Sequence, residues 1–176
     1  NAGRHIGIGI VTAQERSVFS STEFWFWFDK PPFPVTSSPE SATVTIDPSG
    51  KFVVTLHSLA FWGNSPETVA AQVVAEEFDI DPSEITITYA DSQHALPGTG
   101  PGGSRYTVMV TGALVGASGN LKDKIKQIAA HQLEVSPEDL EIRDGGVQVI
   151  GSPERSLTFA EVAATAYFFK LNMPEN

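Results

Sequence analysis

The stretch 75-AEEFDIDPSEITIT-88 is answered later in the chain by 130-AHQLEVSPEDLEIR-143, and the two share one grammar. Each runs from the end of an apolar helical stripe, through a short proline-containing turn, into an alternating β-branched segment. In the first copy Asp81-Pro82-Ser83-Glu84 forms a tight capping turn before a strand over 85–90, and in the second Ser136-Pro137 opens the same turn. The repetition hints at two related β-α-β-like halves around one core. So short a likeness is also what local turn chemistry produces when it recurs.

Outward from these copies the remaining elements follow. The stretch 41-SATVTIDPSGKFVVTLHS-58 holds two alternating β-branched runs joined by Asp-Pro-Ser-Gly, which predicts a hairpin. Ser65 reads as an N-cap and Pro66 as the first helical residue, and Val69, Ala70, Val73, Val74 and Phe78 form the buried stripe. Residues 107–135 predict one long helix or two abutting ones. Gly112, Ala113, Gly116, Ala117 and Gly119 make its first half poor in bulk. Each glycine costs about 1 kcal/mol there relative to alanine, so either another backbone or a ligand is expected to come close. In its second half Lys122, Lys124 and Lys126 read as a solvated face. An Asp-Gly-Gly turn predicts a hairpin within 136–151, and Thr158 with Glu161 writes a capping box before a terminal helix over 158–169.

At the other end, 6-IGIGIVTA-13 reads as a strand. The order is then β, hairpin, α, β, long α, hairpin, α. It predicts one α+β domain over 1–176, with helices on one side of a largely antiparallel mixed sheet. Residues 14–39 interrupt that order with an aromatic and proline-rich insertion, 24-FWFWF-28 and 31-PPFP-34. It reads either as a loop packed on its own domain or as a contact surface for a partner subunit. The start at Asn1 without Met and the polar end 170-KLNMPEN-176 read as a piece of something longer.

Composition excludes several classes. Eleven basic residues against twenty-one acidic ones give a net charge of -10, which repels nucleic acid and anionic membranes. There is no cysteine, hence no disulfide, thiolate metal site, protein-held iron–sulfur cluster or cysteine nucleophile. His5, His57, His94 and His131 are scattered outside any metal-ligand spacing, so no protein-ligated metal is expected. With no span long enough for a bilayer and no leader-like start, the chain reads as cytoplasmic.

The chemistry concentrates in 94-HALPGTGPGGSRYTV-108, a glycine-rich loop between a predicted strand and a helix. There, backbone N–H groups and a helix N-terminus can cradle an anion. Gly98 and Gly103 come near a P-loop, but Ser104-Arg105 stands where Lys-Ser/Thr is required, which removes the ATPase reading. What remains is a set of N–H donors, the Ser104 and Thr107 hydroxyls, and Arg105, able to clamp a phosphate or carboxylate. The alternative is a structural loop with a surface salt bridge. A second turn, 62-WGNSPET-68, also precedes a helix, and the two could close on one extended ligand. No catalytic constellation is visible.

Taken together, 63-GNSPETVAAQVVAEEFDIDPSEITITYADS-92, 98-GTGPGGSRYTVMVTGAL-114 and 129-AAHQLEVSPEDLEIRDGGVQVIGSPERSLTFAEVAATA-166 resemble a segment of a known large subunit. It is the molybdopterin-binding one of the xanthine dehydrogenase and aldehyde oxidase family, of the aerobic carbon monoxide dehydrogenase type. The family's first turn, Gly-Gln-Gly-His-Glu-Thr, falls on Gly63, Asn64, Ser65, Pro66, Glu67 and Thr68. Its second, Gly-Thr-Phe/Tyr-Gly-Ser-Arg-x-Thr, falls on Gly100, Pro101, Gly102, Gly103, Ser104, Arg105, Tyr106 and Thr107. Asn64 keeps the amide, Ser65 replaces a glycine, and Pro101 and Gly102 replace threonine and the aromatic.

The resemblance implies a cofactor-binding portion of a molybdenum hydroxylase, an oxidoreductase, holding molybdopterin cytosine dinucleotide with molybdenum. Gly63, Asn64 and Ser65 would contact the cofactor, Asn64 toward the pterin, and Gly100, Gly102, Gly103, Ser104, Arg105 and Thr107 would meet the phosphates. It also implies partners: the remaining large-subunit sequence, an FAD-binding subunit and a [2Fe-2S] subunit. The family's general-base glutamate lies downstream and its substrate loop upstream, so this chain alone should not turn over substrate. The rival reading is a non-catalytic interaction or assembly domain that kept the fold and lost the cofactor.

Overall fold

The computed structural model describes residues 3, 5–14, 39–59 and 63–174. Strands β1 (Ala42–Ile46) and β2 (Phe52–Leu56) form the predicted antiparallel hairpin. Its turn is held by the Asp47 carboxylate, which accepts hydrogen bonds from the Ser49 and Lys51 amides at 2.8 and 3.1 Å. Gly50 at the tip has φ 86°, and a methyl group there would lie 2.6 Å from the Ala160 backbone, so only glycine lets the tip pack so closely. Helix α1 (Pro66–Phe78) then leads to β3 (Thr86–Tyr89), which joins β2 in parallel. The first sheet is therefore mixed, with order β1-β2-β3.

A single long helix follows, α2 (Tyr106–Leu133), settling the choice left by the sequence. Strands β4 (Leu140–Arg143), β5 (Gly146–Val149) and β6 (Ser152–Thr158) make a second, antiparallel sheet, and α3 (Phe159–Phe168) follows it. The α+β class holds, with the strands divided between two three-stranded sheets. Strand β6 had no sequence signal. Its letters, Ser-Pro-Glu-Arg-Ser-Leu-Thr, are mostly polar and exposed, as suits an edge strand that tolerates Pro153.

The repeated grammar is a repeated geometry. Asp79 and Glu134 both sit in the left-handed region, at φ 51° and 52°, and end α1 and α2 by donating to the carbonyls of Ala75 and Ala130. The amides of Ile80 and Val135 return to the same two carbonyls, and a short 3-10 turn precedes β3 and β4 in turn. The halves share one core: Phe52, Phe78 and Phe159, from β2, α1 and α3, meet in tilted and edge-to-face contacts with centroids 4.5 to 6.0 Å apart.

Several expectations change. Residues 5–14 pair with no described strand, and Ile6, Ile8 and Ile10 are 84%, 89% and 92% exposed; a strand needs a neighbour for its backbone groups, and the described residues offer none. Most of the aromatic insertion at 14–39 lies outside the described residues. Lys122 is not a solvated lysine: its ammonium pairs with Glu77 at 2.6 Å and lies 5.6 Å over the Phe78 ring. No backbone of the described chain approaches Gly112, Gly116 or Gly119, each of which faces open space.

Candidate functional site

Both candidate turns immediately precede a helix. At the first, Gly63 has φ 78° and Ser65 φ 47° and ψ 56°, so Ser65 holds a left-handed conformation typical of glycine. The expected serine cap is absent, since the Ser65 hydroxyl makes no capping bond; a residue in that conformation turns its side chain away from the helix amides. Gly63, Asn64 and Ser65 are exposed, and a methyl group at Gly63 would meet nothing within 4 Å. Space is therefore left over a turn whose helix N-terminus carries unpaired N–H groups.

The second turn is alike. Gly100, Gly103 and Ser104 have φ 77°, 80° and 51°, and Arg105 returns to the right-handed region at the N-cap of α2. Successive residues of opposite hand gather their N–H groups into a concavity suited to an anion. Gly102 and Ser104 are exposed, open space surrounds Gly102, and Thr107 is exposed in the first turn of α2. Beneath them Arg105 is only 5% exposed. Its Nη2 donates to the Gly100 carbonyl at 3.1 Å, while Nε is buried with no partner. None of the ion pairs among the described residues includes it. A buried guanidinium with an orphaned donor is costly unless an anion completes it. Among the described residues, then, Arg105 is a buried side chain tied to its own loop and makes no salt bridge.

Side chains invisible to motif reading anchor each turn to distant segments of the chain. Tyr89, at the end of β3, donates to Glu67 in the first turn of α1 at 2.6 Å. Burial foremost, then Glu67, pushes the Tyr89 phenol far above its ordinary range, and the same bond lowers Glu67. Tyr106, the first residue of α2, donates to the Ser58 carbonyl at 2.6 Å. Burial and then the Glu40 and Glu67 carboxylates push its phenol up to about 12. Glu40 accepts from the Thr99 and Gly100 amides and the Ser58 hydroxyl. His57 accepts from the Leu96 amide at Nδ1 and meets the Thr43 hydroxyl through Nε2. These contacts span some tens of residues in sequence, which no local spacing reveals.

A cleft of about 910 Å³ elsewhere, between the β1–β2 tip, the end of α1 and the start of α3, includes none of the candidate residues. Among the described residues no group of His, Cys, Asp and Glu could hold a metal, and no helix is long and apolar enough to cross a membrane.

All 176 residues match the sequence profile described as the molybdopterin cofactor-binding domain. The chain belongs to that family. It is 30% identical over 173 residues to the nicotine 6-hydroxylase large subunit of Paenarthrobacter nicotinovorans, covering 98% of this chain and 20% of that one. It is 34% identical over 128 residues to the carbon monoxide dehydrogenase large chain of Afipia carboxidovorans, covering 73% and 16%. Among solved structures, quinoline 2-oxidoreductase from Pseudomonas putida 86 superposes with a TM-score of 0.73 at 35% identity, over 80% of this chain and 18% of that one. This member of the molybdopterin-binding family thus spans about a fifth of the length of such relatives. The resemblance read from the three stretches holds, and with it the relation to molybdenum-dependent oxidoreductases of the xanthine dehydrogenase type.

Proposed function

We propose that this domain holds the dinucleotide form of the molybdenum cofactor inside the large subunit of a molybdenum hydroxylase. The observation that carries the reading is Arg105: buried, its Nε orphaned, at the start of a long helix and beside an open glycine turn. On a chain of net charge -10, an anion needs such a local donor set. Gly102, Gly103, Ser104, Arg105 and Thr107 would hold the pyrophosphate and nucleotide, the cytosine form by analogy with the family, while Gly100, whose amide is given to Glu40, would shape the turn. Gly63, Asn64 and Ser65 would face the pterin.

When bound, the cofactor supplies the redox chemistry by which such enzymes insert a water-derived oxygen at a C–H bond. This chain's own part is to bind and orient. Because the metal would be held by the pterin dithiolene, a cysteine-free chain with scattered histidines suits the role. The general-base glutamate and the substrate loops would come from the rest of the large subunit, and FAD and [2Fe-2S] centres from partner subunits. By itself this chain would be inactive. The left-handed Ser65 speaks against the rival of a domain that lost its cofactor, since the backbone there keeps glycine's geometry where the family's glycine was replaced.

The test is molybdenum analysis of the freshly isolated complex, with mass spectrometry of the released nucleotide. Stoichiometric molybdenum with a cytosine nucleotide is expected, and Arg105→Ala should lower both by about tenfold without unfolding the domain. A native complex free of molybdenum and nucleotide would overturn the reading.

A further inference from the structure

We infer that Glu40 is a positioning residue for the ligand loop, an internal carboxylate that occupies its first half and fixes the shape of its second. The inference rests on the cofactor reading above and adds to it a residue outside both family turns. Glu40 Oε1 accepts from the amides of Thr99 at 3.1 Å and Gly100 at 2.6 Å, and Oε2 accepts from the Ser58 hydroxyl at 2.7 Å. The backbone on either side adds to the clamp. The Pro39 carbonyl accepts from the Thr99 amide and hydroxyl, and the Ser41 hydroxyl donates to the Pro97 carbonyl at 2.6 Å.

Gly98 shows how tight the arrangement is. A methyl group there would collide with the Ser58 hydroxyl and lie 2.9 Å from the Glu40 carboxylate. Charge-assisted bonds from backbone amides to a carboxylate are among the stronger ones a loop can make.

Gly100 is where this clamp meets the proposed phosphate grip. Its N–H donates to Glu40 and its carbonyl accepts from Arg105 Nη2. Glu40 thus sets Gly100, and Gly100 sets the guanidinium with Nε left unpartnered. The amides of Thr99 and Gly100 are already taken, and Pro101 has no N–H. An incoming phosphate is therefore confined to the donors of residues 102–105 and the start of α2.

The experiment compares wild type, Glu40→Ala, Glu40→Gln and Gly98→Ala in the native complex. Amide hydrogen exchange over residues 97–105 and retention of cofactor nucleotide after prolonged dialysis are the two readouts. Glu40→Ala should raise exchange in that peptide and lower nucleotide retention, each about tenfold. Glu40→Gln, which keeps one carbonyl acceptor for the two amides but loses the charge, should fall between wild type and the alanine variant. Gly98→Ala should reproduce the alanine variant's signature while leaving the carboxylate in the chain, which covers the case that Glu40→Ala does not fold.

Faster exchange with unchanged retention would reduce Glu40 to a structural residue and overturn the inference, and unchanged exchange would overturn it outright. A wild-type complex without nucleotide would sink the cofactor reading itself. The exchange comparison would then still decide whether Glu40 holds the loop.

Discussion

The amide of Asp144 donates to the carboxylate of Asp79 at 2.8 Å, tying the tip of the β4–β5 hairpin to the residue that ends α1. The two repeated halves therefore meet at one of their corresponding caps, and the caps are chemically unequal. Asp79 and Glu134 bear the same left-handed strain, but only Asp79 uses its side chain in the contact between halves.

A substitution to glycine separates the two roles. Glu134→Gly relieves the left-handed conformation and should stabilise the domain by about 1 kcal/mol. Asp79→Gly relieves the same strain but loses the bond from Asp144, so its gain should be smaller or reversed. Urea denaturation of both variants reads the difference, and equal gains would show that the Asp79 contact contributes nothing.

Two buried hydroxyls should respond in opposite directions. Ser118 on α2 is fully buried and its hydroxyl has no partner. Thr165 on α3 is nearly as buried, but its hydroxyl donates to the Glu161 carbonyl and accepts from Gln132. Ser118→Ala should stabilise by about 1 kcal/mol and Thr165→Val should destabilise by about as much, because only the second leaves a buried group unmatched. Denaturation midpoints check the sign of each.

The start of α3 gives an acid-pH signature. Thr158 and Glu161 form a reciprocal capping box, and the bonds from the Thr158 amide and hydroxyl lower the Glu161 carboxyl below its ordinary value. The folded-state value lies below the unfolded one. The contribution is therefore complete above the ordinary glutamate range and is lost as pH falls through the depressed value. The stability gap between wild type and Glu161→Gln should be constant near neutrality and close on acidification. Thr158→Ala should cost about 1 kcal/mol at neutral pH.

At the other extreme Tyr106 reports on how the second turn is anchored at Ser58. Its phenol is pushed up to about 12, so folding favours the neutral form. That stability is whole below the ordinary phenol range and is lost as pH rises towards the folded value. Wild type should therefore lose more stability than Tyr106→Phe across this alkaline window. At neutral pH the phenylalanine variant should be weaker by about 1 kcal/mol for the lost bond to the Ser58 carbonyl. Tyrosinate absorbance followed beside denaturation separates the two effects.

What the sequence made legible is what is local. The Asp-Pro-Ser-Gly hairpin, the Thr158 capping box and the paired helix ends each write their geometry within a few residues, and each stands as expected. The two turns were legible for the same reason, with glycine spacing ahead of a helix. The residues that anchor the second turn were not. Glu40 reaches Gly100 across 60 positions and Tyr106 reaches Ser58 across 48, and nothing in the composition of either segment marks the pairing. Strand β6 escaped because an exposed edge needs no alternation, and Lys122 because its partner Glu77 lies on another helix.

Ser65 offers the sharpest test of the first turn. At the position where the resemblance puts a glycine, this chain holds serine at φ 47° and ψ 56°, a conformation that costs a residue with a Cβ roughly 1–2 kcal/mol. If the backbone conformation is what the pterin side of the site requires, Ser65→Gly should raise stability by about 1 kcal/mol and leave molybdenum content unchanged or higher. Ser65→Val, whose branched side chain resists the left-handed region, should lower both. Thermal denaturation and metal analysis of the same preparations decide it. A glycine variant that gains stability but loses molybdenum would show instead that the serine hydroxyl itself serves the ligand.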